Sequence, residues 1–329
     1  MRLHTPLCDL LGIEFPIFCA PMGFVTGPEL AGAVSEAGGL GLMSFSRNPP
    51  ELLRRDIGFA RAHTRRPFGV NMLLSAEVSE QVAVCCEERV PLLSFFWGDP
   101  APFVKPAHDA GMKVIHQVGS VSEAEKAVRA GVDIIIAQGV EAGGHVRGEV
   151  STFTLLPRVV DAVAPIPVIA AGGIADARGL VAALALGAQG AVFGTRFLVA
   201  AEARTHPVYQ QKLLAADEGD TVRTTLFGYT WPDAPHRTLR TPFVEQWLGE
   251  EKRGNQGRPD EPVLGSTSVG GQRIDVRRFM GYTPHRETSG DIESMALYAG
   301  QGVGLVNRIQ PAGEIVHQLV VETEYLIRN

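Results

Sequence analysis

The sequence lacks any apolar run long enough to cross a membrane. Its longest runs, such as Val181–Leu186, are far shorter than the ~20 residues that a spanning helix needs. The segment Met1–Leu11 lacks the basic region followed by an apolar stretch that marks a signal peptide. These two absences lead us to expect a cytoplasmic protein that does not associate with membranes.

Cysteine and long basic runs are also scarce. The four cysteines, Cys8, Cys19, Cys85 and Cys86, have spacings that match no zinc motif. We therefore expect reduced thiols and no metal site. The formal net charge is −6, and without a basic patch nucleic acid is not expected as a partner. Hydrophobic residues make up 45% of the chain and charged residues 20%, which are proportions typical of a globular protein with a sizeable core.

What the sequence does contain is an alternation of short apolar runs and helix-like runs. The strand-like runs are Pro16–Ala20, Leu40–Ser44, Phe68–Leu73, Pro91–Phe96, Lys113–His116, Asp133–Ala137, Pro167–Ala171 and Gly190–Phe193. Helix-like segments follow them, the last over Ala201–Ala215. Such alternation indicates βαβ units and a parallel sheet. Eight evenly spaced units favour an α/β fold of the (β/α)8 TIM-barrel type over an open doubly wound sheet.

The pattern changes near residue 217. We predict a barrel over 1–216 and an appended, mostly helical and irregular segment over 217–329, packed on the barrel and covering the active site. Ile292–Val306 and Ala312–Arg328 read as helices. Thr224–Pro242 is rich in threonine, proline and aromatic residues, and its role stays open.

Residues that follow the strands are the first candidates for function, because active sites of such barrels lie at the carboxyl ends of the strands. The first strand is followed by the turn residues Ala20, Pro21, Met22 and Gly23. Asn71 and Gln117 close the third and fifth strands. Their amides can both donate and accept hydrogen bonds, as the edge of a flavin requires. A purely structural role is an equally open alternative for each of them.

The most informative segment follows the sixth strand. It contains Gln138, the glycine pair Gly143 and Gly144, and then His145. Paired glycines let a chain approach a ligand closely, and histidine is suited to proton transfer near neutral pH. We predict that His145 lies on a flexible loop at the active end and acts as a catalytic base. Glu141 is expected to act in a salt bridge or as a cap.

The loops after strands seven and eight often bind phosphate in such barrels. The candidates here are Ala171, Gly172, Gly173, Gly194 and Thr195. Backbone amides and a helix start can hold a dianion without lysine. Arg196 either adds charge there or points to solvent. The later run Gly300–Gly304, which includes Gln301, is not a dinucleotide-binding loop because no parallel strand precedes it.

Taken together, these motifs resemble the nitronate monooxygenase family, also called 2-nitropropane dioxygenases. The segments that carry the resemblance are Ala20–Gly23, Gly69–Asn71, Gln138–His145, Ala171–Ile174, Gly194–Phe197 and Gly300–Gly304. The resemblance implies non-covalent FMN, with its phosphate near Gly173 and Gly194–Thr195. It implies ring contacts near Met22, Gly23, Asn71, Gln117 and Gln138, and His145 as the base. The expected reaction is oxidation of alkyl nitronates by O₂ to a carbonyl compound and nitrite.

Three alternatives stay open at this point. The same motifs resemble flavin-dependent enoyl-ACP reductases and NADH:quinone reductases, which draw electrons from NAD(P)H. A barrel that binds a phosphorylated metabolite, as in proteins similar to IMP dehydrogenase, would also accommodate the glycine loops. A pure binding role fits least, because polar residues and glycines gather at the strand ends. The expected partners are a small-molecule substrate and O₂, and a homodimer is left open.

Overall fold

A computed structural model describes residues 2–45 and 49–329, so Met1 lies outside the described residues. Eight parallel strands close a barrel: β1 (Ile17–Cys19), β2 (Leu40–Ser44), β3 (Gly69–Leu73), β4 (Leu92–Phe96), β5 (Lys113–Val118), β6 (Ile134–Gln138), β8 (Val168–Ala171) and β9 (Ala191–Phe193). Closure comes from pairing of the first and last strands, with Cys19 opposite Phe193. The predicted (β/α)8 barrel is thus confirmed.

The helices of the outer layer follow the strands in the expected order. They are α2 (Pro28–Glu36), α3 (Pro50–His63), α4 (Ser79–Glu87), α5 (Ala101–Asp109), α6 (Val121–Arg129), α7 (Thr152–Val163) and α8 (Ala177–Ala185). Local chemistry sets where several of them begin. Proline occupies the first turn of α2 and α3, where its missing N–H costs nothing. Ser120 and Asp176 cap α6 and α8 with side-chain oxygens.

One end of the barrel is filled by apolar side chains. The first helix, α1 (Pro6–Leu11), places Leu7, Cys8 and Leu11 in the same cluster as Phe18 and Ile134. Because this apolar cluster fills the barrel at the amino-terminal ends of the strands, a site can form only at their carboxyl ends. Over residues 2–45 and 49–329, no helix has both the length and the apolar character needed to cross a membrane.

The eighth helical position of the outer layer is taken by the end of the chain. Helix α12 (Ala312–Arg328) packs between α8 and α2, and its Ile315, Val316 and Leu319 are buried. Within the segment predicted as the last barrel helix, Ala201–Ala215, only α10 (Pro207–Leu214) is helical, and a separate short helix, α9 (Thr195–Leu198), precedes it. Helix α10 contacts the 3-10 turns of the tail rather than filling that position.

Residues 217–329 contain more strand than the sequence indicated. β10 (Thr221–Thr224) and β11 (His236–Leu239) form a sheet with β7 (Gly144–His145), and β12 (Val263–Val269), β13 (Gln272–Arg277) and β14 (Ser289–Gly290) form a second. The segment thus contains two small sheets in addition to the helical and irregular parts that the sequence predicted. Ile292–Val306, expected as a helix, has only two 3-10 turns, over Ile292–Ser294 and Gln301–Leu305. The remaining helical elements are α11 (Pro242–Trp247) and a 3-10 turn over Glu251–Gln256.

Candidate active site

A cavity of about 880 Å³ opens at the carboxyl ends of the barrel strands. This volume lies within the range of about 300–1,000 Å³ that small-molecule sites occupy. Twelve of the residues singled out from the sequence line it: Ala20, Pro21, Met22, Gly23, Asn71, Gln117, Gln138, Gly143, Gly144, His145, Gly194 and Thr195. The structure thus brings residues from the carboxyl ends of five different barrel strands to one space.

The other predicted cofactor residues lie elsewhere. Gly172, Gly173 and Gln301 line a smaller cavity of about 500 Å³, and Ala171 is buried in the barrel interior. The tail segment 300–302 runs between the two predicted phosphate loops. On one side the Gly300 N–H donates to the Thr195 hydroxyl at 3.0 Å. On the other, a Cβ added to Gly302 would lie 2.8 Å from the carbonyl oxygen of Gly173.

Gly173 has a left-handed backbone, with φ of 71°, which favours glycine. A Cβ there would lie 3.2 Å from the Cβ of Glu141. The Glu141 carboxylate accepts hydrogen bonds from the backbone N–H of Thr152, at 3.0 and 2.9 Å, and from its hydroxyl, at 2.9 Å. Glu141 therefore holds the start of α7, which matches its expected capping role.

Two amides at the cavity have the chemistry that a flavin edge requires. The side-chain carbonyl oxygen of Gln138 is buried and has no hydrogen-bond partner among the described residues, so it can accept a bond from a ligand. Asn71 is 4% exposed, and its amide lies 3.0 Å from the Ser94 hydroxyl, which fixes its orientation. The residues present therefore fit a flavin ring on this side of the cavity.

His145 lies in a strand rather than on the flexible loop that the sequence suggested. β7 pairs with β11, with His145 opposite His236 and Gly144 opposite Arg237. The carbonyl oxygen of His145 also accepts a bond from the Gln138 amide at 3.1 Å. Pairing with a strand that is distant in sequence restricts the backbone here, so the backbone position of His145 is fixed.

Gly143 lines the cavity and also allows the tail to approach closely. A Cβ there would lie 2.5 Å from the backbone nitrogen of Gly300, so glycine is needed for close approach of the tail. Gly144 has φ of 71° and open space beside its Cβ position. Its requirement for glycine is conformational.

Three aromatic rings surround the imidazole of His145. Trp231 stacks on it with ring centroids 4.4 Å apart and an interplanar angle of 28°. His236 meets it edge-on at 5.4 Å, and Tyr298 lies at 5.7 Å. Trp231 and Tyr298 also line the cavity. None of these three was assigned a role from the sequence, although Trp231 and His236 fall in the Thr224–Pro242 segment whose composition was unusual.

The neighbouring histidine, His236, is not suited to proton transfer. It is completely buried, and burial lowers its pKa to about 4, so it is neutral at pH 7. Its Nε2 accepts a bond from the Phe227 N–H at 3.3 Å. Its Nδ1 must then carry the proton and donate to the Ala234 carbonyl at 3.0 Å. Both ring nitrogens are engaged in structural bonds, which leaves His145 as the base candidate of this pair.

Arg196 contributes no charge to the cavity and does not point to solvent. It is 7% exposed, and its guanidinium donates to the Gln310 side chain and to the Arg308 carbonyl. The residue therefore anchors the tail to α9. Among the described residues, no group of three or more His, Cys, Asp or Glu side chains is arranged to hold a metal ion.

Comparison with known proteins fits this geometry. The model of the nitronate monooxygenase family matches residues 4–80 and 74–322. The chain belongs to this family. A probable nitronate monooxygenase of Staphylococcus aureus is 34% identical over 369 residues, covering 98% of each chain. The family and its solved relatives are flavoenzymes, so this chain is a flavin-dependent oxidoreductase, and nitronate oxidation is the activity that the match supports.

Two further relatives bear on the choice of substrate. FabK from Thermotoga maritima has a TM-score of 0.82 and 37% identity, covering 99% of this chain and 97% of FabK. The (3aS,4S,5R,7aS)-5-hydroxy-7a-methyl-1-oxo-octahydro-1H-indene-4-carboxyl-CoA dehydrogenase of Mycobacterium tuberculosis is 41% identical over 258 residues, covering 77% of this chain and 71% of the enzyme. The proteins similar to this chain therefore include one whose name describes a different reaction, a dehydrogenation of a CoA ester.

Proposed function

We propose that this protein oxidises alkyl nitronates, and nitroalkanes after removal of an α-proton, with FMN and O₂ to give a carbonyl compound and nitrite. The observation that carries the proposal is the position of His145, fixed by strand pairing at the wall of a cavity whose other walls fit a flavin ring. A base beside the cofactor site is the arrangement that a neutral nitroalkane needs.

The residues that would hold FMN fall into two groups. The ring would contact Met22, Gly23, Asn71, Gln117 and Gln138, with the buried Gln138 oxygen as one acceptor. Gly194 and Thr195 lie at the same cavity and would hold the phosphate, and Gly173, which lines the smaller cavity, would contribute from the other side of the tail segment 300–302. Bound FMN would supply the electron-accepting chemistry and the reaction with O₂, while the protein positions the substrate.

The proton step belongs to the chain's own residues. When a nitroalkane binds, the α C–H bond breaks, the electron pair moves into the nitro group, and the proton passes to the imidazole of His145. The product of this step is the nitronate anion. A substrate supplied as nitronate bypasses this step, so His145 should matter much less for it.

The decisive experiment is anaerobic stopped-flow of the purified protein, with absorbance followed at the flavin band. Mixing with propyl nitronate should bleach the band, and mixing with NADH or NADPH should not. Bleaching by a pyridine nucleotide alone would reject the proposal. A preparation without a flavin band would contradict the cofactor assignment.

A second candidate is an FMN-dependent NAD(P)H reductase of the enoyl-ACP or quinone reductase type. The observation in its favour is the identity to FabK, 37% over nearly the whole chain, which exceeds the 34% to the staphylococcal nitronate monooxygenase. The same stopped-flow experiment separates the two candidates because they differ in the electron donor.

A cytoplasmic location and a homodimeric assembly stay predictions, to be tested by fractionation and by light scattering.

A further inference from the structure

We propose that Trp231 is a positioning residue, which holds the imidazole of His145 in the orientation that proton abstraction requires. The proposal deepens the function proposed above and rests on it. It assigns a role to the Thr224–Pro242 segment, whose function was open from the sequence.

The backbone of His145 is already fixed without Trp231. Pairing with His236 and the bond from the Gln138 amide hold the main chain. The main chain of Val146 continues this pairing, with its N–H donating to Pro235 at 2.8 Å. These main-chain bonds do not set rotation of the side chain, so the plane of the imidazole depends on a contact that the ring itself makes.

The Trp231 ring supplies that contact. It covers one face of the imidazole at 4.4 Å, nearly parallel, whereas His236 and Tyr298 meet the ring at angles of 63° and 54°. The imidazole is therefore bounded on one face and by two ring contacts at steep angles. Rotation of the imidazole towards the indole is therefore blocked by Trp231.

Trp231 is itself held in place from the barrel side. Trp97, which directly follows β4, packs on it with centroids 4.9 Å apart. The guanidinium of Arg147 lies 4.8 Å from the Trp97 ring centroid, and Arg147 is paired with Glu123. Trp97 also has φ of 61°, a backbone conformation that non-glycine residues rarely adopt and that is enriched at functional sites. Arg147 thus packs on Trp97, Trp97 packs on Trp231, and Trp231 packs on one face of the His145 imidazole.

Misplacement of a catalytic group by about 1 Å can cost on the order of 10²-fold in rate. That cost falls only on the step that the group performs. Loss of the Trp231 face should therefore slow reactions that begin with proton abstraction and leave pre-ionised substrates nearly unaffected. A tryptophan that served only stability would change both substrates alike, through the amount of folded protein.

The test compares Trp231→Leu, Trp231→Phe and the control Trp247→Leu. Trp247 lies in the same part of the chain, packs on Phe279 and does not line the cavity. Turnover of nitroethane and of ethyl nitronate is measured for each, with α-deuterated nitroethane for the isotope effect. In Trp231→Leu, kcat/KM for nitroethane should fall by about 10²-fold, and turnover of the nitronate should persist. The deuterium isotope effect on kcat/KM for nitroethane should be at least as large as in the wild type. Trp231→Phe, which keeps an aromatic face, should recover most of the loss.

Equal losses for both substrates, or a phenylalanine variant no better than leucine, would overturn the proposal. If the wild type oxidises neither compound, the proposed function fails, and the positioning role is then judged by NMR of the ¹³C-labelled histidine rings. Stacking predicts an upfield ring-current shift and a single sharp signal for His145. Both should be lost in Trp231→Leu, and their persistence in that variant would refute the role of Trp231.

Discussion

Replacement of His145 by alanine tests the assignment of the base most directly. The change removes the imidazole but leaves the main-chain pairing of β7 with β11 intact. The bond from Gln138 is also retained because it ends on a backbone oxygen. The variant should therefore fold and keep its flavin, so that any loss of activity reports on chemistry rather than on structure.

The expected size of the effect follows from the role. General base catalysis by a positioned side chain contributes about 10²–10⁴-fold, which corresponds to about 3–5 kcal/mol of barrier. His236, the nearest histidine, cannot substitute, because both of its ring nitrogens are engaged. We expect kcat/KM for a neutral nitroalkane to fall within this range, while oxidation of the corresponding nitronate changes far less.

The assay is stopped-flow reduction of the flavin by each substrate, with flavin content measured from the absorbance spectrum. His317→Ala, a change at an exposed histidine of α12, serves as the control and should match the wild type. Equal retention of both activities in His145→Ala would refute the base assignment. Equal loss of both would assign His145 to binding or flavin reduction instead.

Three further predictions concern the cofactor and stability. Gly173→Asp should lower the flavin content of the purified protein, because it adds a negative charge and a side chain at a left-handed φ. The control Gly111→Asp, at a glycine with φ of 80° and open space around it, should leave the flavin content unchanged. Equal flavin content in the two variants would reject the phosphate role of Gly173. Gln138→Met should weaken flavin binding, because it removes the buried acceptor, and unchanged affinity would contradict the ring contact. Burial lowers the pKa of His116 and His236 to about 4, whereas histidines of the unfolded chain have a pKa of about 6.5. The unfolded chain therefore binds protons first, and the free energy of unfolding should fall by about 3 kcal/mol per residue between about pH 6.5 and 4. Thermal melts should show this slope, and His116→Leu should reduce it; an unchanged slope would reject the cause.

The barrel was predictable because parallel strands that are buried on both faces appear as continuous apolar runs. Every residue of β6 is buried, and the run Asp133–Ala137 predicted that strand to within one residue at each end. The rule that sites form at the carboxyl ends of strands then selected residues such as Asn71 and Gln117, which the structure places at one cavity. Here a local pattern was sufficient.

The missed features depend on contacts between distant parts of the chain. β7 has two residues, and it is a strand only because β11 pairs with it. A Gly-His pair has no strand pattern of its own, so the sequence predicted a loop. Likewise, the sequence around Trp231 and Tyr298 gives no sign that both rings meet His145. The unusual composition of Thr224–Pro242 was the only available signal.

From the position of α12 we expect the barrel and the tail to depend on each other for stability. Four of its buried side chains, Ile315, Val316, Leu319 and Val320, belong to the cluster that includes Leu30 of α2 and Leu180 of α8. Burial of four such side chains contributes about 6–12 kcal/mol, which is comparable to the whole stability of a domain, about 5–15 kcal/mol. A chain ending at residue 216 would expose those faces of α2 and α8 and would leave β7 without its partner strand. The tail therefore contributes to folding and to the wall of the site at once, and loss of flavin should accompany unfolding when it is removed.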